Sequence, residues 1–217
     1  MADSVHISGA GNVGGGEYEN ISISSSGKVT SDVRCQSFGS SGSVHICGNV
    51  ECSGEFKIAG SGRVDGDIKC GSCHLAGAAK VKSIEANGEL EFAGSFIADG
   101  NVSGEKVTIA GATNANGLIN GDEIRITFDG NGVKANEIGG GIIKIAPKGV
   151  RWFSKKKIKH SEIGTIEGDD ISLELVKADV VRGANIKIGD GCEIEKVEYS
   201  ESLEIFENAH VDCQVKI

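Results

Sequence analysis

The sequence predicts an all-β protein, a right-handed parallel β-helix (a solenoid) with about 17 residues per coil and roughly 11 coils. Three observations predict this fold. Glycine supplies 33 of the 217 residues, with a single proline, and that is about twice the ordinary glycine share of roughly 7%. Val and Ile recur at alternate positions, which is strand periodicity. The alternating segments also return at a constant interval, which is typical of a solenoid.

Composition also excludes several classes of protein. Collagen needs glycine at every third place with abundant proline, and a disordered chain would not carry 39% hydrophobic residues. No apolar run is long enough for a membrane-spanning helix, and the first residues do not resemble a signal peptide. We therefore expect a cytoplasmic protein whose seven cysteines are reduced. The net charge of −9 disfavours nucleic acid as a partner.

The repeat is clearest in the first two thirds of the chain. Seven consecutive lines can be written, six of 17 residues and one of 18, and they begin at Ile21, Phe38, Phe56, Cys73, Leu90, Val107 and Ile124. Glycine stands four places after four of these starts, at Gly60, Gly77, Gly94 and Gly111. Since glycine tolerates bends that other residues resist, these positions are predicted turns between short strands of one coil.

Both flanks of this region continue the pattern. The segment around Val5 and Ile7 matches the one at 56–60, so a first coil is predicted over Ser4–Asn20. The alternation restarts at 171–173, 186–188 and 203–205. The predicted organisation is therefore an N-terminal set of coils over 1–141, an insertion over 142–162 and a C-terminal set over 163–217.

The insertion differs in composition from the coils. It contains the only proline and the only tryptophan, and it carries seven basic residues and no acidic residue between 142 and 160. Aromatic residues beside a cationic run are typical of a membrane-surface anchor or a basic docking loop. The predicted docking residues are Arg151, Trp152, Phe153, Lys155, Lys156 and Lys157. The alternatives are a solvated loop and a loop that folds back onto the acidic coils.

The cysteines allow two interpretations. Cys70 and Cys73 have the spacing of a metal or redox pair, and zinc would need two further ligands, from Cys52 with Cys47 or His45. However, Cys35, Cys52 and Cys70 fall in one column of the repeat. Because a free cysteine behaves as a small buried hydrophobe, we favour stacked core thiols and predict no metal ligand and no cofactor.

Catalytic patterns are missing from the sequence. It has no nucleophile elbow, phosphate-binding loop or zinc-protease motif, and the five histidines are scattered without a matched partner. We therefore predict no catalytic residue and no enzymatic activity. A β-helical carbohydrate-active enzyme or an acyltransferase is the alternative, and a clustered acidic cleft or an exposed catalytic histidine would favour it.

The alternation of Ile or Val with glycine from Ile58 to Ile68 resembles the bactofilins, a family of polymer-forming cytoskeletal proteins of bacteria. The likeness covers residues 4–140 clearly and 163–217 more loosely. The segment from Val181 to Ile194, followed by 197–199, is similar to longer members from Gram-positive bacteria. The resemblance implies right-handed β-helices that polymerise end to end, without nucleotide.

The terminal coils support the same expectation, since each is apolar, alternating and without a polar cap. The predicted polymer contacts are Val5, Ile7, Val211, Val215 and Ile217. We accordingly predict a non-enzymatic scaffold that is cytoplasmic, with a second copy of itself as the main partner. A membrane surface, at the inner face of the membrane, or an acidic protein is the further partner predicted for 144–159.

Overall fold

The computed structural model describes residues 3–149 and 159–217. These residues form strands and turns and contain no helix. The strands pair in parallel, and the coils form a β-solenoid of about 12 turns that lie about 17 residues apart. The predicted all-β solenoid class is therefore confirmed. The chain divides into two compact units, Met1–Glu105 and Lys106–Ile217.

The first unit contains eleven strands in the described residues. They are β1 (Asp3–Ile7), β2 (Ala10–Val13), β3 (Gly16–Ile23), β4 (Ser26–Val29), β5 (Val33–Ser40), β6 (Ser43–Ile46), β7 (Val50–Val64), β8 (Asp67–Val81), β9 (Ser83–Ala86), β10 (Glu89–Ala98) and β11 (Val102–Ser103). Each pairs with strands one coil away, as β5 does with β3 and β7.

Register in this unit stacks like residues on like. Val29 pairs with Ile46, and Ile46 pairs with Val64. All three are at most 2% exposed. Phe38 pairs with Phe56, and the two rings stack with centroids 5.0 Å apart. The core is therefore a set of columns that run from coil to coil, because parallel pairing brings equivalent positions together.

One glycine column is required by close backbone approach. Gly60, Gly77 and Gly94 pair in register and have φ of 141°, 116° and 126°. A Cβ built on Gly77 would overlap the carbonyl oxygen of Gly60, and one on Gly94 would overlap that of Gly77. Only glycine satisfies both the backbone angle and the contact, so the column predicted from the repeat has a steric cause.

The second unit contains six strands in the described residues. They are β12 (Lys106–Phe128), β13 (Lys134–Pro147), β14 (Ser161–Leu173), β15 (Val176–Ile188), β16 (Glu193–Ile205) and β17 (His210–Lys216). Each of these strands pairs in parallel with the next one along the chain. The core columns continue here, as in Ile171, which pairs with Ile186, and Ile186, which pairs with Leu203.

The interruption of the repeat is shorter than the sequence pattern indicated. Strand β13 continues through 142–147, and Ile143 and Ile145 are at most 1% exposed. Ile143 pairs with Ile124 and with Ile171, so this stretch belongs to a coil rather than to a loop. The sequence analysis places 142–147 in the insertion because the alternation here is short and is followed at once by the basic residues. Between β13 and β14 the register advances by 28 residues, as from Ala135 to Ile163.

Candidate self-assembly surfaces

The first coil of the N-terminal unit carries two of the predicted contact residues. On β1, Val5 pairs with Ile21 and Ile7 pairs with Ile23. Ile21 and Ile23 are each 1% exposed, whereas Val5 and Ile7 are only half-buried. Val5 and Ile7 therefore cover Ile21 and Ile23, respectively. The side of each that faces away from β3 remains partly accessible to solvent in the described chain.

The last coil of the C-terminal unit repeats this arrangement. Val211 on β17 pairs with Ile194, which is 1% exposed, yet Val211 itself is half-buried. Val215 is half-buried and pairs with Glu198. Ile217, just beyond β17, is 65% exposed, and its backbone N–H donates to the carbonyl of Tyr199 at 2.9 Å. These three residues place apolar surface on the last described coil.

Two residues that belong to the same surface were missed. Leu203 and Ile205 extend the columns of Ile186 and Ile188 by one coil, and both are half-buried. Phe206 follows them and is 37% exposed, with the Lys187 ammonium 4.8 Å from its ring centroid. The signal was present in the sequence, because Leu203 and Ile205 restart the alternation, but alternation alone does not show which residues are the last members of a column.

Charged pairs flank the C-terminal surface. Glu198 is 13% exposed, and it accepts from Lys196 and Arg182, each at 2.6 Å. These hydrogen bonds, the one from Lys196 first, hold the pKa of the Glu198 carboxyl below its usual range. The carboxylate is therefore ionised at neutral pH, and its charge is balanced by Lys196 and Arg182.

All six predicted docking residues lie outside the described residues. They are Arg151, Trp152, Phe153, Lys155, Lys156 and Lys157. The residues on either side of them are described. The backbone N–H of Lys148 donates to Phe128 and that of Lys159 to Gly130, at 2.7 and 2.9 Å. Lys148 and Lys159, the exposed lysines on either side, therefore both contact the stretch 128–130 at the end of β12.

An acidic groove of about 510 Å³ lies in the second unit, and it is the feature that would favour an enzyme. Its walls carry Glu162, Asp179, Glu193, Glu195 and Asp212, with Lys177 and His210 among them. Hydrogen bonds from Lys134 and Lys177 lower the pKa of the Glu162 and Glu193 carboxyls, respectively. A general acid needs a raised pKa, so these two carboxylates are arranged as ion pairs.

The cysteine column predicted from the repeat is confirmed. Cys35 pairs with Cys52, and Cys52 pairs with Cys70, and all three side chains are buried. Cys73 is 0% exposed in a neighbouring column. Its hydrogen bond with Cys70, together with burial, raises the pKa of the Cys73 thiol. These buried thiols pack in the core as free cysteines commonly do.

The stacked parallel coils define a β-solenoid protein, and its first and last described coils carry half-buried members of the core columns. Residues 1–84 match the model of the bactofilin family, described as polymer-forming cytoskeletal. The match bears out the resemblance over these residues, which are similar to the bactofilin family.

Two curated relatives are uncharacterized proteins of Bacillus subtilis strain 168. YhbF is 35% identical over 101 residues, which are 46% of this chain and 42% of YhbF. YhbE is 33% identical over 105 residues, which are 46% of this chain and 44% of YhbE. The matched part thus spans less than half of each relative.

A solved structure, the C-terminal domain of a tapirin from Caldicellulosiruptor hydrothermalis, aligns with 98% of this chain and 56% of its own. The TM-score is 0.41 and the identity is 16%, so the likeness is distant and identifies no function. Within residues 3–149 and 159–217, the structure has no helix with the length and apolar character that crossing a bilayer requires.

Proposed function

We propose that the protein is a non-enzymatic cytoskeletal scaffold that self-assembles end to end, with the terminal coils of separate copies stacked on one another. The observation that carries the proposal is the half-exposed state of column residues on the first and last described coils. The match of residues 1–84 to a polymer-forming cytoskeletal family supports it. We place this scaffold in the cytoplasm.

The physical driving force is the one that stacks coils within the chain. A strand at the edge of a sheet offers unpaired N–H and C=O groups to a further strand. Burial of a Val, Leu or Ile side chain contributes about 1.5–3 kcal/mol when complete. The side chains available for further burial are Val5 and Ile7 in the first unit and Leu203, Ile205, Val211, Val215 and Ile217 in the second. Each gains burial without any change in fold.

The first test examines assembly of the full chain by analytical sedimentation and negative-stain electron microscopy. We expect filaments, and a sedimentation coefficient that rises with concentration. A variant with Val211→Lys and Val215→Lys should keep the sedimentation coefficient of a monomer at the same concentrations, because assembly would bury two charges in the contact. Both valines are half-exposed, so the variant is expected to fold.

The control places equal charge elsewhere. Ser95, exposed on β10, and Ser24, exposed in a turn, are replaced together as Ser24→Lys and Ser95→Lys. This variant should assemble like the parent chain. A parent chain that stays monomeric at high concentration and forms no filaments would contradict the proposal. So would equal assembly of the two lysine variants.

A second part of the proposal concerns docking through 144–159. Exposed Lys144, Lys148 and Lys159 supplement the cationic and aromatic residues between them, a composition suited to an anionic lipid surface or an acidic protein. Vesicles that contain anionic lipid should bind the parent chain. They should not bind a variant that combines Trp152→Ala with replacement of Lys155, Lys156 and Lys157 by Gln. Binding that survives these substitutions would exclude this segment as the anchor.

A further inference from the structure

A cluster of three different metal-binding side chains lies on the first unit, away from the terminal coils. It contains His45 on β6, Cys47 directly after β6, and Asp65 directly after β7. His45 pairs with Arg63 and Ile46 pairs with Val64, so positions 47 and 65 are equivalent positions on adjacent coils. The backbone N–H of Asp65 donates to the carbonyl of Ile46 at 2.9 Å, which fixes this alignment.

The ligand atoms of the cluster are close enough to share one ion. The His45 Nε2 lies 2.7 Å from the Asp65 Oδ2 and 3.9 Å from the Cys47 Sγ. The three ligand atoms all lie within 4.8 Å of one another. A tetrahedral zinc ion with nitrogen at about 2.0–2.1 Å and sulfur at about 2.3 Å holds its ligands about 3.3–3.6 Å apart. The nitrogen–oxygen separation of 2.7 Å would have to open by about 0.6 Å, and a separation at the 4.8 Å limit would have to close by about 1.2 Å.

The carboxylate of the cluster is already oriented. Arg63 Nε donates to Asp65 Oδ1 at 2.7 Å, which leaves Oδ2 directed at His45. The hydrogen bond with His45, followed by that with Arg63, lowers the pKa of the Asp65 carboxyl. The side chains of His45 and Asp65 are 40% and 36% exposed, so an ion can enter and a water molecule can take the fourth position.

Two other histidine–carboxylate pairs in the described residues lack the third ligand that Cys47 adds to His45 and Asp65. His210 lies 2.8 Å from Asp212, and His74 lies 3.2 Å from Glu91. Neither forms part of a group of three close ligands, and the group at His45 is the one such group in the described chain. A thiolate and an imidazole together favour zinc and related ions over calcium or magnesium.

We propose that His45, Cys47 and Asp65 bind one divalent transition-metal ion of the zinc type. Binding breaks the S–H bond of Cys47, whose proton passes to solvent, and the thiolate pair forms the bond to the metal. The imidazole binds as its neutral form through Nε2, with its proton on Nδ1. The ion then crosslinks two adjacent coils, a role that is independent of assembly through the terminal coils.

The test uses Co²⁺ as a spectroscopic probe and Zn²⁺ as a competitor, with the reduced full chain. We expect one equivalent of Co²⁺ to produce a sulfur-to-cobalt charge-transfer band that Zn²⁺ abolishes, and Zn²⁺ to raise the melting temperature. Cys47→Ser should eliminate the band and weaken Zn²⁺ binding at least tenfold. Asp65→Asn should weaken binding and retain the band.

Two control variants separate this site from other ligands. Cys213→Ser removes an exposed thiol elsewhere, and His210→Gln removes the histidine of the His210–Asp212 pair. Both should bind Co²⁺ like the parent chain. Absence of the charge-transfer band in the parent chain would overturn the proposal. Persistence of the band in Cys47→Ser would do so as well, because it would place the metal on another thiol.

Discussion

Two regions of the second unit contain the same columns and differ in burial. On β14 and β15, Ile171 and Ile186 are 3% and 2% exposed. Leu203 on β16 is the next member of that column but is only half-buried. Sequence and register are alike, and the difference is that Ile171 and Ile186 lie between two described coils whereas Leu203 contacts a described coil on one side only. Burial in a solenoid is thus a property of neighbours, and a coil from a second copy is one such neighbour.

The largest expected effect compares an interior with a terminal phenylalanine. Phe56 is 0% exposed and stacks on Phe38, whereas Phe206 is 37% exposed. Phe56→Ala should lower the free energy of unfolding by about 3–5 kcal/mol through loss of burial and a cavity. Phe206→Ala should cost under about 1 kcal/mol. Denaturant unfolding of both variants at low protein concentration measures this, and equal losses would refute the distinction.

Next in size is the contrast between two glycines with similar backbone angles. Gly77 has φ 116° and lies against Gly60 of the preceding coil, whereas Gly16 has φ 136° and no atom near a built Cβ. Gly77→Ala combines strain and overlap, so we expect a loss of about 3 kcal/mol or more. Gly16→Ala incurs strain alone, about 1–3 kcal/mol, and is expected to be the milder of the two.

Thermal and denaturant unfolding of these two glycine variants gives the contribution of coil-to-coil contact as the difference between them. If Gly16→Ala were as destabilising as Gly77→Ala, contact between coils would not be the reason for the glycine column.

A pH dependence sharpens the comparison at the last coil. The lowered pKa of Glu198 means that its ion pairs stabilise the fold above the unfolded carboxyl pKa of about 4.3. That stability is lost as the pH falls through the folded pKa. Glu198→Gln should therefore destabilise at pH 7, and its deficit should shrink as the pH falls below about 4.3 towards 3.

Glu204 provides the exposed control for this pH series. Its ion pair with Lys187 spans 3.3 Å and its side chain is 62% exposed, so Glu204→Gln should change the unfolding midpoint little at either pH. A Glu198→Gln variant whose deficit is the same at pH 3 and pH 7 would show that charge is not the cause.

The smallest expected effect concerns two serines on β5. The Ser40 hydroxyl is buried between Ile23 and Ile58 and has no hydrogen-bond partner within the described residues. Ser40→Ala should raise the free energy of unfolding by about 1 kcal/mol. Ser37 Oγ donates to Asn20 Oδ1 at 2.6 Å, so Ser37→Ala should lower it by about 0.5–1 kcal/mol. Calorimetry distinguishes the two signs.

Much of this architecture was predictable because a solenoid repeats its constraints. Alternation at Phe56 and Ile58, glycine at Gly60 and thiols at Cys52 and Cys70 each recur at one interval, and parallel register turns that interval into contact. The end of β13 was not predictable, because Pro147 and the basic residues after it give this stretch a composition unlike that of the other coils. The alternation at Ile143 and Ile145 was therefore not recognised as part of a coil. Strand pairing identifies these two residues as core.

The candidate sites were harder to predict for a different reason. Leu203 and Ile205 have the sequence character of core residues, and only their position at the end of the last described columns leaves them half-buried. His45 and Cys47 were considered as ligands from the sequence, but Asp65 was not, because it lies one coil further on. Its alignment with residue 47 depends on the one line that is 18 residues long. Spacing within the sequence directed attention to Cys70 and Cys73 instead.

Hydrogen exchange followed by mass spectrometry, at low and high protein concentration, tests the central claim most directly. Amides of 201–217 should gain protection as concentration rises, because a second copy would pair with β17 and cover Leu203 and Ile205. Amides of 176–188, already paired on both sides, should exchange equally slowly at both concentrations. If 201–217 exchanged at the same rate at every concentration, including conditions where filaments form, stacking on the last coil would be contradicted.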